Sequence, residues 1–317
     1  MRKQPQDAEI VPNELSSEFK KMESMLNASS PRVRAVSLLL ALGFVTAVPA
    51  YLLSSLPPES PEHANYLGFD RNEYPGDANL VGLRESFSFS GYWLNNPPGA
   101  SNNTWTGKRD ALRTAGFGFV VVFNGRLYAE IKAQGDAAKL GASDAAAAVS
   151  AATREGFPPR TIIFLDQEQG GRLLPEQRSY LLSWADGVAS RGFRAGVYCS
   201  GIGAKESSDN FIVTAKDIQQ HAGSRKLHYW VANDSCPTSP GCAFPKVLPS
   251  PASSGIPFAE VWQFAQSPQR REFTKKCNAK YAEDGNCYPP IGGRVQQLHV
   301  DLNVAISSDP SEGRSHK

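Results

Sequence analysis

Two acidic residues follow one apolar run near the middle of the chain. The run Ile162–Leu165 leads through Asp166 and Gln167 to Glu168. In an extended chain, residues two apart project to the same side, so we expect both carboxyl groups to face one space. Two carboxyl groups in a partly buried site move each other's pKa values apart, and cleavage of a glycosidic bond needs that division into acid and base. Taken alone, D-x-E is also common at a solvated strand end.

Other acids and aromatic residues lie close to the ends of further apolar runs. Asp70 closes the run YLGFD, and Asp301 lies within HVDLN. Each of these two acids, taken singly, could equally be a cap, turn or ion-pair residue. Because sugar rings stack on aromatic planes, we predict that Tyr92, Tyr198 and Trp230 line a carbohydrate pocket, whereas most other aromatic residues belong to the core.

Alternating strands and helices must position these side chains. The strand patterns are 117–123, 161–166, 195–200, 228–232, 260–265 and 299–304. One helix is predicted over Asp144–Glu155, with Ser143 as its N-cap, and another over Pro175–Ser190.

This rhythm indicates βα units around a parallel sheet. A doubly wound sheet would fit the rhythm equally well, but the acids end apolar strands, as they do at the mouth of a barrel. We therefore predict an α/β fold over residues 66–306, a TIM-type (β/α)8 barrel, regular or irregular, preceded by one transmembrane helix.

The membrane prediction rests on an uncharged run from Ala35 to Leu53, which is long enough to span a bilayer as a helix. Basic residues precede the run and Glu59 is the first charge after it, so the positive-inside rule places the later chain outside the cytoplasm. We predict a cytoplasmic tail (1–34), a transmembrane signal-anchor (35–56), a linker (57–65) and, after the barrel, a disordered tail (307–317). The alternative is a signal peptide cut near Ala47, which would give a secreted or periplasmic protein.

The cysteines agree with export. Cys236 with Cys242, and Cys277 with Cys287, each bracket a short loop and are predicted to form local disulfides in an oxidising compartment, whereas Cys199 is predicted to be a buried free thiol. Zinc is the alternative for the paired cysteines, but their spacing is not CxxC and no histidine is adjacent. We expect no metal ion and no cofactor. The formal net charge of +2 and the scattered basic residues exclude a nucleic-acid partner.

Read in order, these segments resemble a known family. The segments are GFD at 68–70, 141–148, IIFLDQE at 162–168, GVYCS at 196–200, YWVAN at 229–233, VWQF at 261–264 and VDLN at 300–303. They are similar to the glycoside-hydrolase-like domain formerly called DUF1906, which is related to the family 25 lysozymes. The similarity extends over about Tyr66–Ala305.

The resemblance implies roles for individual residues. Glu168 would protonate the leaving oxygen, and Asp166 would stabilise the developing oxocarbenium ion or orient an N-acetyl group. Asp70 and Asp301 would hold water and sugar hydroxyls. Gln263 in the W-Q-F segment and Asn303 in the D-x-N segment match further site positions, predicted to contact substrate.

The leading hypothesis is a muramidase-like hydrolase that acts on peptidoglycan or another envelope polysaccharide, at the outer face of the membrane. A glycan-binding module without turnover is the first alternative. An interaction domain of the envelope, built on the same barrel, is the second.

Overall fold

The computed structural model describes residues 64–275, 279–290 and 298–314, and these contain ten strands, most of them short apolar runs. They are β1 (Tyr66–Asp70), β2 (Phe89–Trp93), β3 (Gly118–Asn124), β4 (Ile162–Gln167), β5 (Arg194–Ser200), β6 (Gly203–Lys205), β7 (Phe211–Val213), β8 (His228–Ala232), β9 (Val261–Ala265) and β10 (Asp301–Ala305). The six predicted strands are found within one or two residues. Their near-continuous apolar sequences suit strands that are covered on both faces, as β4 is along its whole length.

Helices alternate with most of these strands. Within the described residues they are α1 (Leu80–Ser86), α2 (Arg109–Thr114), α3 (Tyr128–Gln134), α4 (Ala137–Arg154), α5 (Pro175–Ala189), α6 (Thr214–His221) and α7 (Arg271–Thr274), with 3-10 turns at Asp77–Asn79 and Pro251–Ser254. The helix α5 begins with its proline at the first helical position, as predicted.

Eight strands close into a barrel in the order β1, β10, β9, β8, β5, β4, β3, β2, while β6 and β7 form a separate hairpin. This closure confirms an α/β barrel over a doubly wound sheet. The barrel is mixed and not all parallel, because β10 runs antiparallel to both β1 and β9. The start of β10 therefore lies at the same end of the barrel as the end of β1, with Asp301 opposite Asp70.

The helix α4 begins earlier than predicted. Its N-cap is Asp136, whose carboxylate accepts a hydrogen bond from the Lys139 amide at 2.9 Å, and Ser143 lies inside the helix. A glycine in the second turn obscured this from the sequence. At Gly141, a Cβ atom would meet the carbonyl oxygen of Tyr180 at 2.2 Å. The close packing of α4 on α5 therefore requires a residue without a side chain at this position.

The C-terminal segment is a second correction, because residues 307–314 are held by specific contacts and not disordered. The Asp309 carboxylate accepts a hydrogen bond from the Phe119 amide at 2.9 Å, and Ser311 Oγ accepts one from the Val121 amide at 2.8 Å. The Ser311 carbonyl accepts a further bond from the Ile162 amide. Polar composition suggested disorder, but these polar groups pair with backbone at the amino ends of β3 and β4.

The cysteine pairing also differs from the prediction. Cys242 is bonded to Cys287, with a Cα–Cα distance of 5.4 Å and a sequence separation of 45, so neither predicted local bond forms. Cys236 is likewise disulfide-bonded. Spacing alone favoured local loops, whereas the fold brings the chain after β8 beside the chain that leads to β10, where the Cys242 amide donates to the Ala279 carbonyl. Cys199 is a buried free thiol, as predicted.

The predicted cytoplasmic tail, signal-anchor and most of the linker fall before residue 64 and so lie outside the described residues. Within the described part of the chain, no helix combines the length and the apolar character needed to cross a membrane.

Candidate active site

A cavity of about 310 Å³ opens at the barrel end where β1 and β4 finish and β10 begins. Its lining combines acids, amides, aromatic rings and two basic side chains: Asp70, Arg71, Asn72, Trp93, Pro98, Val122, Asp166, Glu168, Tyr198, Trp230, Gln263, Gln266, Ser267, Pro268, His299 and Asp301. All four predicted acids therefore meet in one pocket, together with Tyr198, Trp230 and Gln263.

Two amides hold Asp70 at the base of this pocket. Gln263 Nε2 and Asn303 Nδ2 both donate to Asp70 Oδ1, at 3.0 and 2.6 Å. Burial raises the pKa of Asp70 to about 6, although these two hydrogen bonds act in the opposite direction. Asn303 is buried and does not line the cavity, so it contributes through Asp70 and not by touching a ligand.

Asp301 has two partners of its own. Its Oδ1 accepts a hydrogen bond from the Ser267 amide at 2.6 Å, and its Oδ2 accepts one from Gln263 Nε2 at 3.3 Å. Burial, followed by the neighbouring Asp70 charge, raises the pKa of Asp301 well above its ordinary range. The site therefore favours the neutral form of this carboxyl.

Asp166 differs from the other acids because neither carboxyl oxygen has a hydrogen-bond partner, although the residue is only 4% exposed. Burial is the main cause that raises the pKa of Asp166 well above its ordinary range, and the charges of Glu168 and Asp70 add to it. A buried, unpaired carboxyl costs about 1–3 kcal/mol or more. A ligand with N–H or O–H groups could supply the missing partners.

Glu168 lies just past the end of β4, at the mouth of the pocket where solvent reaches it. Withdrawal of much of the carboxyl from water raises the pKa of Glu168, and the positive charge of Arg270 acts in the opposite direction. Arg270 is itself held by an ion pair with the buried Asp234. A carboxyl group with a raised pKa and open access suits a general acid.

Two aromatic residues predicted to line the pocket form one wall of it. The rings of Tyr198 and Trp230 meet edge to face at 4.7 Å. Tyr198 donates to Gln263 Oε1 at 2.7 Å, and Trp230 Nε1 donates to Asn303 Oδ1 at 2.8 Å. These bonds connect the aromatic wall to the amides that hold Asp70.

Tyr92, in contrast, is outside the pocket. It is fully buried on the other side of β2, where its hydroxyl donates to the Trp105 carbonyl at 2.8 Å and also contacts Glu155. Its neighbour Trp93 lines the cavity instead. Adjacent strand residues face opposite sides, but both faces of β2 are buried, so the apolar pattern did not show which ring points inward.

The sequence reasoning also missed Arg71, His299, Gln266 and Ser267. Each of the first two is within two residues of a predicted acid, and the other two follow β9 directly. Their proximity to strand ends at the mouth was the signal available. Within the part of the chain that the structure describes, no three His, Cys, Asp or Glu side chains are grouped to hold a metal ion.

Comparison with known proteins supplies a family for this barrel. Residues 89–244 match the family model described as Rv2525c-like, glycoside hydrolase-like domain. A comparison with curated proteins finds no match.

Several solved structures are similar over most of the barrel. The Tat-secreted protein Rv2525c of Mycobacterium tuberculosis is 16% identical, with a TM-score of 0.44, covering 79% of this chain and 98% of that one. The catalytic domain of endolysin ply40, from bacteriophage P40 of Listeria monocytogenes, is 18% identical, with a TM-score of 0.42 and coverages of 80% and 99%. A bacterial lysozyme from Streptomyces coelicolor is 16% identical, with a TM-score of 0.43 and coverages of 75% and 90%.

The family inferred from the ordered motifs is thus confirmed by the family match, which covers β2 to β8 of the barrel. Residues 89–244 of the chain thus match the Rv2525c-like, glycoside hydrolase-like domain.

Proposed function

We propose that this domain hydrolyses glycosidic bonds of envelope polysaccharide, with muramidase-like action on peptidoglycan and Glu168 as the general acid. The observation that carries the proposal is the convergence of Asp70, Asp166, Glu168 and Asp301 in one open pocket. Two of these carboxyl groups have clearly different surroundings, because Asp166 is buried without partners and Glu168 is accessible at the mouth. Such a difference separates the roles of two acids in glycoside hydrolysis.

In the proposed reaction, Glu168 gives its proton to the glycosidic oxygen as the bond from that oxygen to the anomeric carbon breaks. Asp166 orients the acetamido group of an N-acetylated sugar or, in its ionised form, stabilises the positive charge that develops on the sugar ring. A water molecule then bonds to the anomeric carbon and loses a proton to a carboxylate of the pocket. Trp93 and Trp230 offer aromatic surfaces for the sugar rings.

The test uses the full chain with peptidoglycan and with other wall polysaccharides, and follows the release of reducing ends. Glu168→Gln should lower the rate about 100-fold or more, because it removes the transferable proton. The matched control is Glu176→Gln, since Glu176 is an exposed acid in the first turn of α5 and lies outside the pocket. Equal rates in wild type and Glu168→Gln would sink the proposal. Binding of muropeptides without any product would favour the glycan-binding module.

We also propose that residues 35–56 anchor the protein in the cell membrane, with the barrel on the outer side and a polysaccharide or peptidoglycan partner within reach. The uncharged run and the basic residues before it support this topology. In intact cells, an externally added protease should degrade the barrel while the chain fractionates with membranes. Recovery of the full chain in the soluble cytoplasm would exclude the topology, and recovery of a shortened chain outside the membrane would favour signal cleavage.

A further inference from the structure

The pocket contains a basic side chain that the proposed reaction does not use. Arg71 follows the end of β1 directly and lines the cavity beside Asp301 and His299. Its backbone is fixed from β2, because Trp93 Nε1 donates to the Arg71 carbonyl at 3.1 Å. The backbone of Arg71 is thus fixed at the cavity wall, directly after a strand end.

The donors of Arg71 are unused in the described structure. Its Nε is buried without a hydrogen-bond partner, and among residues 64–275, 279–290 and 298–314 the guanidinium forms no ion pair. Glu73 and Asp301 are the acids whose charges act on it. An arginine in an acid-lined pocket normally pairs with one of the acids, since a bidentate pair satisfies both groups. Here the N–H donors of the guanidinium remain available to a ligand.

The neighbours of Arg71 compensate its charge only in part, because Glu73 acts on it without lining the cavity. The surroundings of Asp301 favour its neutral form, as burial raises the pKa of that carboxyl. Burial and the Arg71 charge lower the pKa of His299, so the imidazole is neutral and adds no second positive charge. Arginine itself stays protonated in proteins. A single positive charge with free donors therefore faces the cavity.

We propose that Arg71 selects an acidic saccharide, binding a carboxylate carried by the sugar in the pocket. This inference rests on the proposed function, since it names the substrate class of the same site. A planar carboxylate matches the two-donor edge of a guanidinium. A phosphate carries more negative charge than a carboxylate, so a pocket carboxyl that is ionised at neutral pH, such as Asp70, would repel it more strongly.

Two sources could supply the carboxylate, namely the lactyl group of a muramic acid or the C6 group of a uronic acid. The experiment therefore uses matched pairs that differ only in charge: N-acetylmuramic acid with its carboxamide, and glucuronic acid with glucuronamide. Glucose 6-phosphate is the phosphate probe. Binding to the full chain is followed by calorimetry or by tryptophan fluorescence, because Trp93 and Trp230 line the cavity.

We expect at least one acid to bind about tenfold or more tightly than its amide, as hydrogen bonds to charged groups are the stronger ones. If only the muramic pair shows the preference, the source is the lactyl group; if only the uronic pair shows it, the source is C6. Preference in both pairs assigns the recognition to the carboxylate itself.

Arg71→Gln should abolish the preference and leave the affinity for the amides unchanged, and Arg71→Lys should retain part of it. Lys226→Gln is the charge-matched control, because Lys226 is exposed just before β8, at the opposite end of the barrel. Equal binding of acids and amides by wild type would overturn the inference. So would an undiminished preference in Arg71→Gln, tighter binding of the phosphate, or no binding of any probe. Loss of hydrolysis with the preference intact would overturn only the proposed reaction.

Discussion

Asn303 in β10 donates a 2.6 Å hydrogen bond from Nδ2 to Oδ1 of Asp70 in β1, although their sequence separation is 233. The same oxygen accepts the bond from Gln263 Nε2. Because one oxygen takes both bonds, an asparagine at position 70 could keep them through its own carbonyl oxygen. Asp70→Asn therefore isolates the effect of the charge.

The charge of Asp70 should make stability depend on pH. Burial raises its pKa from 3.8 to about 6, so between these values the folded chain binds more protons than the unfolded chain. The contribution of the neutral Asp70 carboxyl to the free energy of unfolding is complete below pH 3.8 and is lost as the pH rises through about 6. Relative to wild type, Asp70→Asn should gain on the order of 2–3 kcal/mol of unfolding free energy between about pH 4 and pH 7. Urea unfolding at several pH values measures this, and parallel curves for the two proteins would contradict it.

Two neighbouring acids should respond in opposite ways to the same substitution at neutral pH. Asp166→Asn replaces an unpaired buried carboxyl by a neutral group of the same shape and should raise the melting temperature while lowering hydrolysis. Asp301→Asn should lower the melting temperature, because both Asp301 oxygens accept hydrogen bonds and the new NH2 group would face a donor. Thermal unfolding of the two variants side by side tests the assignment. A higher melting temperature in both variants would show that Asp301 does not accept hydrogen bonds from Ser267 and Gln263.

The contrast between Tyr92 and Trp93 offers a third test. Tyr92→Phe removes a buried hydroxyl that donates to the Trp105 carbonyl, so it should cost about 1–2 kcal/mol of unfolding free energy and leave saccharide affinity unchanged. Trp93→Leu removes an aromatic wall of the cavity and should weaken saccharide binding several-fold. Titration of both variants with one glycan separates the effects. Weaker binding in Tyr92→Phe with normal binding in Trp93→Leu would reverse the assignment.

The disulfide Cys242–Cys287 gives a prediction about the site as well as about stability. The bond closes 45 residues, so Cys242→Ser should lower the free energy of unfolding by up to about 4 kcal/mol. The Cys287 amide donates to Ser267 Oγ at 2.8 Å, and the Ser267 amide donates to Asp301, so the loss should also weaken the hold on that acid. Peptide mapping without reductant should recover Cys242 linked to Cys287. A Cys236–Cys242 fragment would refute the pairing.

Local patterns were sufficient for most of the strands and for the key acids. The run into Asp166 and Glu168 is apolar because β4 is covered on both sides, and the two acids two residues apart do line one pocket. The ordered motifs were enough to identify the family. These features depend on neighbours along the chain, which is why they can be read from it.

Strand direction, side-chain facing and cysteine pairing were decided by tertiary structure. Asp301 reaches the mouth only because β10 runs antiparallel, since a parallel strand beginning with this residue would have placed it at the opposite end. Barrel closure, which joins residues far apart in the chain, sets that direction. Barrel closure also decides which face of β2 is interior, so that Trp93 and not Tyr92 lines the pocket. Residue order alone determined which acids could do chemistry. The closed barrel determined that these acids share one cavity with Arg71.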